Sequence, residues 1–246
     1  MKFILFFCTL YLHATVTTYD DLIEKNLIHQ GETPALHLGC GETHINGYIN
    51  IDFPMENRPL HKKETADYYS DITKLTFPPG AIKAIENHHI FEHFSRPISI
   101  ALLCAWHYWL TDGGELVIET PDFAHGIQRY LKTKSFEEKQ IIIRHLFGSQ
   151  EAPWALHWDG WSEDKFRHFL TELGFDIISI NCSSWNCIDN ILVISKKQSS
   201  KTIAELQIIG KKLLKLSMVN ASESEVLMWE GWCKDFEEAL FQMAPS

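Results

Sequence analysis

Leu36-His-Leu-Gly39-Cys40-Gly41-Glu-Thr-His-Ile-Asn-Gly47-Tyr-Ile-Asn-Ile-Asp52 is the stretch that decides the fold. It opens with a short apolar strand, Ala35 to Gly39, closed by glycine. It ends with a second strand, Tyr48 to Asp52, closed by an acid. Glycines at 39 and 41 let the backbone approach a ligand with no Cβ in the way. An acid ending the next strand can accept hydrogen bonds from both hydroxyls of a ribose. Together these features describe a nucleoside site at the carboxyl edge of a parallel sheet. A glycine turn without a ligand is the alternative for G-x-G alone. The dinucleotide fingerprint needs a third glycine where His44 stands, and no smooth helix start follows to hold a pyrophosphate, which disfavours NAD.

Outward from this stretch, strand-like and helix-like segments alternate from Ala35 to Lys197, the pattern of a mostly parallel sheet covered by helices. A third strand is predicted near Ala66–Ser70, a fourth over Ala81–Asn87 and a fifth over Glu115–Glu119. Between the last two, Ser95 opens a helix whose broad apolar stripe includes Ile98, Ala101, Leu102, Ala105, Trp106 and Trp109, with Gly113-Gly114 as its stop. Ser135 with Glu138 predicts a capped helix reaching about Leu146, and Ser162 caps another that Gly174 ends. Phe175–Asn181 and Asn190–Ser195 read as an antiparallel pair at the sheet edge.

Two amphipathic helices follow a polar boundary at Lys196–Lys201, over Thr202–Ser217 and Glu223–Met243, the second with a capping box of Ser222 and Glu225. They either pack back on the domain or form a homodimer or partner surface. The domain plan is an N-terminal apolar segment at 1–18, an α/β domain at 19–198 and a helical extension at 199–246.

Lys2 precedes an apolar run from Phe3 to Leu12 and a small residue, Ala14. The run is too short to span a membrane, so stable membrane insertion is not expected. It fits a signal peptide, a packed N-terminal element or a start assigned upstream of the true one. The chain has 246 residues and a formal net charge of −10, with no long run of Lys or Arg, so nucleic acid is not an expected partner. None of the six cysteines forms a C-x-x-C pair, which favours a reducing, cytoplasmic setting, or secretion if the first residues are a signal. Cys182 and Cys187 are near enough to meet across a turn.

Four stretches, over Thr33 to Lys197, give the chain a resemblance to the class I S-adenosylmethionine-dependent methyltransferases, in particular the broad methyltransferase-11-type family. Leu36–Gly41 resembles the family's glycine-rich motif and Tyr48–Asp52 its ribose-binding acid. Tyr69–Pro78 is similar to the segment whose acid contacts the adenine amino group. Asn87–His93 and Thr111–Asp122 resemble the segment after strand four and the glycine turn into strand five. The resemblance implies a Rossmann-like, doubly wound sheet of seven strands with the last antiparallel, and S-adenosylmethionine as cofactor. By position it places Gly39, Cys40 and Gly41 against the methionine part, Asp52 on the ribose, and Asp71 and Ile72 at the adenine. Asn87 and His88 would lie near the amino-acid end. Only ten residues separate Gly41 from Asp52, so the usual first helix is abbreviated or absent.

The implied reaction is methyl transfer to an oxygen, nitrogen or carbon of a small-molecule or glycan-like acceptor. An oxygen or nitrogen acceptor often needs a base. His157 and Asp159, in the aromatic loop Trp154–Trp161, and Asp122 after Pro121 are the candidates. His89-Ile-Phe-Glu92-His93 is literally H-x-x-E-H, with both histidines expected on one helix face, which makes a zinc hydrolase the rival enzyme. A non-catalytic module of the same fold, working through its C-terminal helices, is the third alternative.

Overall fold

The computed structural model describes residues 17–54 and 63–245; the N-terminal apolar run, with the signal-peptide expectation, lies outside the described residues. The elements in order are α1 (Thr18–Glu24), β1 (Ala35–Leu38), β2 (Ile49–Asp52), β3 (Tyr68–Tyr69), β4 (Ile82–His88), α2 (Arg96–Trp109), β5 (Leu110–Pro121), α3 (Phe123–Lys132), α4 (Phe136–Phe147), α5 (Glu163–Leu173), β6 (Phe175–Trp185), β7 (Ile188–Lys197), α6 (Ile203–Lys215) and α7 (Glu223–Met243). The seven strands form one sheet in the order β3-β2-β1-β4-β5-β7-β6. Strands β1 to β5 pair in parallel, and β7 lies antiparallel to both β5 and β6. This is the seven-stranded, doubly wound sheet with an antiparallel strand that the resemblance implies. No helix intervenes between β1 and β2, as their short connection requires.

The central strands β1 and β2 are buried almost throughout, because helices cover both faces of a parallel sheet. Helix α2 buries Leu102, Leu103, Trp106 and Trp109 completely, each large side chain contributing roughly 1.5–3 kcal/mol. Its end differs from expectation. The chain passes from Trp109 directly into β5, and Gly113-Gly114 lies inside that strand. Ile82 pairs with Leu110 but Ala84 with Glu115, so three extra residues bulge out there, and Gly113 takes φ +76°. The glycines therefore serve a strand bulge rather than a helix stop.

Capping is also redistributed. Ser135 caps α4 through the Glu138 N–H, but the Glu138 carboxylate turns to the Thr133 hydroxyl instead of closing the box. Ser162 and Ser222 occupy N-cap positions without a side-chain bond to the helix backbone. Full capping boxes form instead at Thr17/Asp20 and Thr202/Glu205. The β6–β7 hairpin turns through Asn186 and Cys187, both with positive φ (44° and 60°), a two-residue turn matched to strand twist. It does not bridge Cys182 to Cys187; both are free thiols, and Cys182 faces Asp122.

Helices α6 and α7 pack on α2. Leu206, Leu213, Phe236, Leu240 and Met243 belong to the same buried cluster as Trp106, Trp109 and Leu36. The Trp109 indole N–H donates to the Met243 carbonyl at 3.0 Å. Among the described residues, no helix is long and apolar enough to cross a membrane.

Candidate functional site

Parallel pairing brings the carboxyl ends of β1, β2 and β4 to one edge, and the loops beyond them enclose a cleft. The chain leaves β1 through Gly39 (φ +71°) and Gly41 (φ +57°), a backbone path that side chains resist. Gly39 has a second reason to be glycine: a Cβ there would lie 2.2 Å from Ile90 Cδ1. The loop is tied across to the next strand. Gly39 N–H donates to the Ile51 carbonyl at 2.8 Å, and Gly41 N–H donates to Asp52 Oδ2 at 2.6 Å. Asp52 Oδ1 accepts from the Phe53 N–H at 2.6 Å. A carboxylate offers about four acceptor directions, so one group can hold a loop and still serve a ligand.

The cleft encloses about 340 Å³, within the range of small-molecule sites. Gly39, Gly41 and Asp52 form one side; Phe53, Ser70, Ile72, Ile90, Phe94 and Trp154 supply mostly apolar walls, and His88, His89 and His93 close it. His88 is clamped between two acids, with Nδ1 2.6 Å from Glu119 and Nε2 2.8 Å from Glu86. Hydrogen bonds to Glu119 and then Glu86 raise its pKa to about 9 against the cost of burial. The imidazolium is therefore the form present at neutral pH, and the three groups together carry one negative charge.

Solved structures resemble this chain.

An S-adenosylmethionine-dependent methyltransferase from Methanosarcina mazei is 17% identical, covering 72% of this chain and 98% of that one, with a TM-score of 0.46. Magnesium protoporphyrin IX methyltransferase from Synechocystis, solved with SAH bound, is 12% identical over 73% of this chain and 82% of that one, with a TM-score of 0.44. A Burkholderia thailandensis 1,6-didemethyltoxoflavin-N1-methyltransferase, bound to 1,6-didemethyltoxoflavin and S-adenosylhomocysteine, is 11% identical over 73% and 76%, with a TM-score of 0.46. No protein-family model and no curated protein matches the chain.

The remaining expected residues divide. Cys40 is buried, its backbone N–H donating to the Ile51 carbonyl. Asp71 turns its carboxylate to the Thr73 N–H and hydroxyl, at 2.9 and 2.7 Å, capping a short 3-10 turn, while its neighbours Ser70 and Ile72 line the cleft. Asn87 is fully buried and donates to the Val117 carbonyl, with its Oδ1 unpartnered. Asp122 caps α3 and holds His125 at 2.6 Å. Asp159, a candidate base, accepts from Lys165 at 2.6 Å, with Arg96 at 3.5 Å, so its carboxylate is engaged in ion pairs rather than with His157. His157 faces Glu92 and His93 and lines a second cavity of about 500 Å³ beside the cleft.

The H-x-x-E-H segment is not a helix. His89 takes φ +53°, and only one 3-10 turn, Phe91–His93, follows before the chain enters α2. The two histidines do not share a helical face, and a zincin scaffold is not formed. Glu86 and Glu119, missed in the sequence, stand on adjacent strands in a register that sets His88 opposite Glu119. Alternation along β4, which puts Glu86 and His88 on one face, was a signal available for Glu86; Glu119 depends on the cross-strand register.

Proposed function

We propose that the chain is an S-adenosylmethionine-dependent methyltransferase acting on a small-molecule or glycan-like acceptor. The observation that supports it best is the Gly39–Gly41 loop fastened to the Asp52 carboxylate at the mouth of the cleft. The residues present fit the cofactor. Backbone at Gly39, Cys40 and Gly41 leaves room for its methionine part, and Asp52 meets the ribose. Ser70 and Ile72 flank the adenine, their turn held by Asp71. Buried Asn87 supports the end of β4. The His88 clamp, with one net negative charge, suits a neighbouring sulfonium or ammonium group.

When bound, the cofactor would supply an electrophilic methyl group. The chain's own part is to align the two reactants and keep water out, through the Ile90, Phe94 and Trp154 walls. Of the three expected catalytic groups, His157 alone lines the adjoining cavity, and the acceptor is assigned there.

The experiment is transfer of label from methyl-labelled S-adenosylmethionine, offered with a small-molecule extract and with free glycans. Label is expected in the low-molecular-mass fraction and absent with Asp52→Ala. A protein that binds the cofactor yet transfers label to no such fraction contradicts the assignment.

A further inference from the structure

The wall between the two cavities holds a group that methyl transfer alone leaves unexplained. Glu92 is 2% exposed, and neither carboxylate oxygen has a hydrogen-bond partner. A buried carboxylate held only by two loose contacts with histidine rings is costly, and such a group calls for a reason. Three imidazoles surround it. His89 Nδ1 lies 3.5 Å from Glu92 Oε1, His157 Nε2 lies 3.9 Å from the same oxygen, and the His93 and His157 rings are 4.8 Å apart. One donor atom from each of Glu92, His93 and His157 falls within 4.8 Å of the others.

The surroundings are those of metal ligands. His93 Nδ1 sits 3.1 Å from the Leu156 carbonyl, which can only accept, so the proton is on Nδ1 and the Nε2 lone pair is left for a ligand. The loop that carries His157 is pinned to the turn that carries Glu92, because Trp158 N–H donates to the Glu92 carbonyl at 2.9 Å. His89 is held in the left-handed region, where a non-glycine residue is strained. Tetrahedral coordination at bonds of about 2.0–2.1 Å separates donors by about 3.3 Å, so shifts of about an ångström close the set.

We propose that Glu92, His93 and His157 bind a divalent transition-metal ion, with His89 positioning the Glu92 carboxylate. Two imidazoles and one carboxylate make a site for zinc-like ions rather than an all-oxygen magnesium cage. Three protein ligands leave a position open. His89 and His93 line both cavities, so that position lies between the cofactor cleft and the cavity of Ile141, Arg144 and Asn190. An acceptor oxygen would be held there, which rests on the methyltransferase assignment; the ion site itself does not.

Purified full-length protein, stripped with chelator and titrated calorimetrically with Zn²⁺ alone, is expected to bind one equivalent. Glu92→Gln and His157→Ala should each weaken that binding by at least about 100-fold. S-adenosylhomocysteine affinity, measured on the same samples, should change little, and this also reports that the variants fold. His125→Ala, in the separate Asp122–His125–Cys182 cluster, should bind zinc as the wild type does. No bound equivalent in the wild type, or one kept by Glu92→Gln and lost by His125→Ala, overturns the site. Zinc binding without any S-adenosylhomocysteine binding would leave the ion site standing and remove the methyltransferase assignment.

Discussion

The carboxylate of Asp52 accepts the Gly41 N–H at 2.6 Å, so the acid that ends the second strand fastens the loop that ends the first. Two motifs that look separate in sequence are one structural unit. Asp52→Ala would leave the N–H groups of Gly41 and Phe53 without this acceptor and is expected to cost about 2–4 kcal/mol. Urea unfolding measures it; a midpoint equal to wild type would show that the carboxylate does not hold the loop.

Gly39→Ala meets two obstacles, a positive φ and the Ile90 side chain. The backbone penalty is about 1–2 kcal/mol. Cofactor affinity should fall at least about tenfold. Adding Ile90→Ala should recover the steric share and leave the backbone share. A double variant no better than Gly39→Ala would remove Ile90 from the explanation.

The sequence made the Gly39–Asp52 unit legible because both motifs lie at strand ends within one short segment, where a glycine pair closes the first strand and an acid closes the second. It did not reveal the His88 clamp, since Glu119 reaches His88 only through the β4–β5 register. Asp159 was misleading for a related reason: its partner Lys165 comes from the first turn of α5. Gly113-Gly114 read as a helix stop because a bulge and a cap ask for the same backbone freedom. The H-x-x-E-H spacing suggested a helix face that the left-handed turn at His89 prevents.

His88 makes stability depend on pH. Its folded pKa of about 9 lies above the ordinary value of 6.5, so its contribution is full below 6.5 and is lost as pH rises through 9. Glu86 and Glu119 are lowered, by hydrogen bonds from His88, and their contribution is lost as pH falls below the ordinary carboxylate value of 4.5. Discounted for partial exposure, His88→Gln should cost about 1–2 kcal/mol at pH 6 and much less at pH 10. An equal cost at both would contradict the charged clamp.

Gly210 on α6 lies against the buried Phe236 ring of α7, where a new Cβ would be 2.3 Å from Cζ. Alanine improves helix propensity by about 1 kcal/mol, while overpacking costs about 1–3 kcal/mol. The second effect should win, and Gly210→Ala should lower the melting temperature. A rise would mean that the two helices separate easily.

Deleting residues 202–246 would uncover Trp109 and the buried face of α2. A non-catalytic module working through a detachable extension would keep a folded core. The shared packing predicts an aggregated or partly unfolded product instead, read by circular dichroism and gel filtration. A monomer with a cooperative melt would restore the extension as an independent unit.

The cleft beside Gly39 is tested most directly by calorimetric titration with S-adenosylhomocysteine, with NAD as the comparison ligand. One equivalent of S-adenosylhomocysteine should bind the wild type, NAD should not compete, and Asp52→Ala should weaken binding at least about tenfold. No heat from S-adenosylhomocysteine, or equal affinity in Asp52→Ala and wild type, would contradict a nucleoside site at this edge of the sheet.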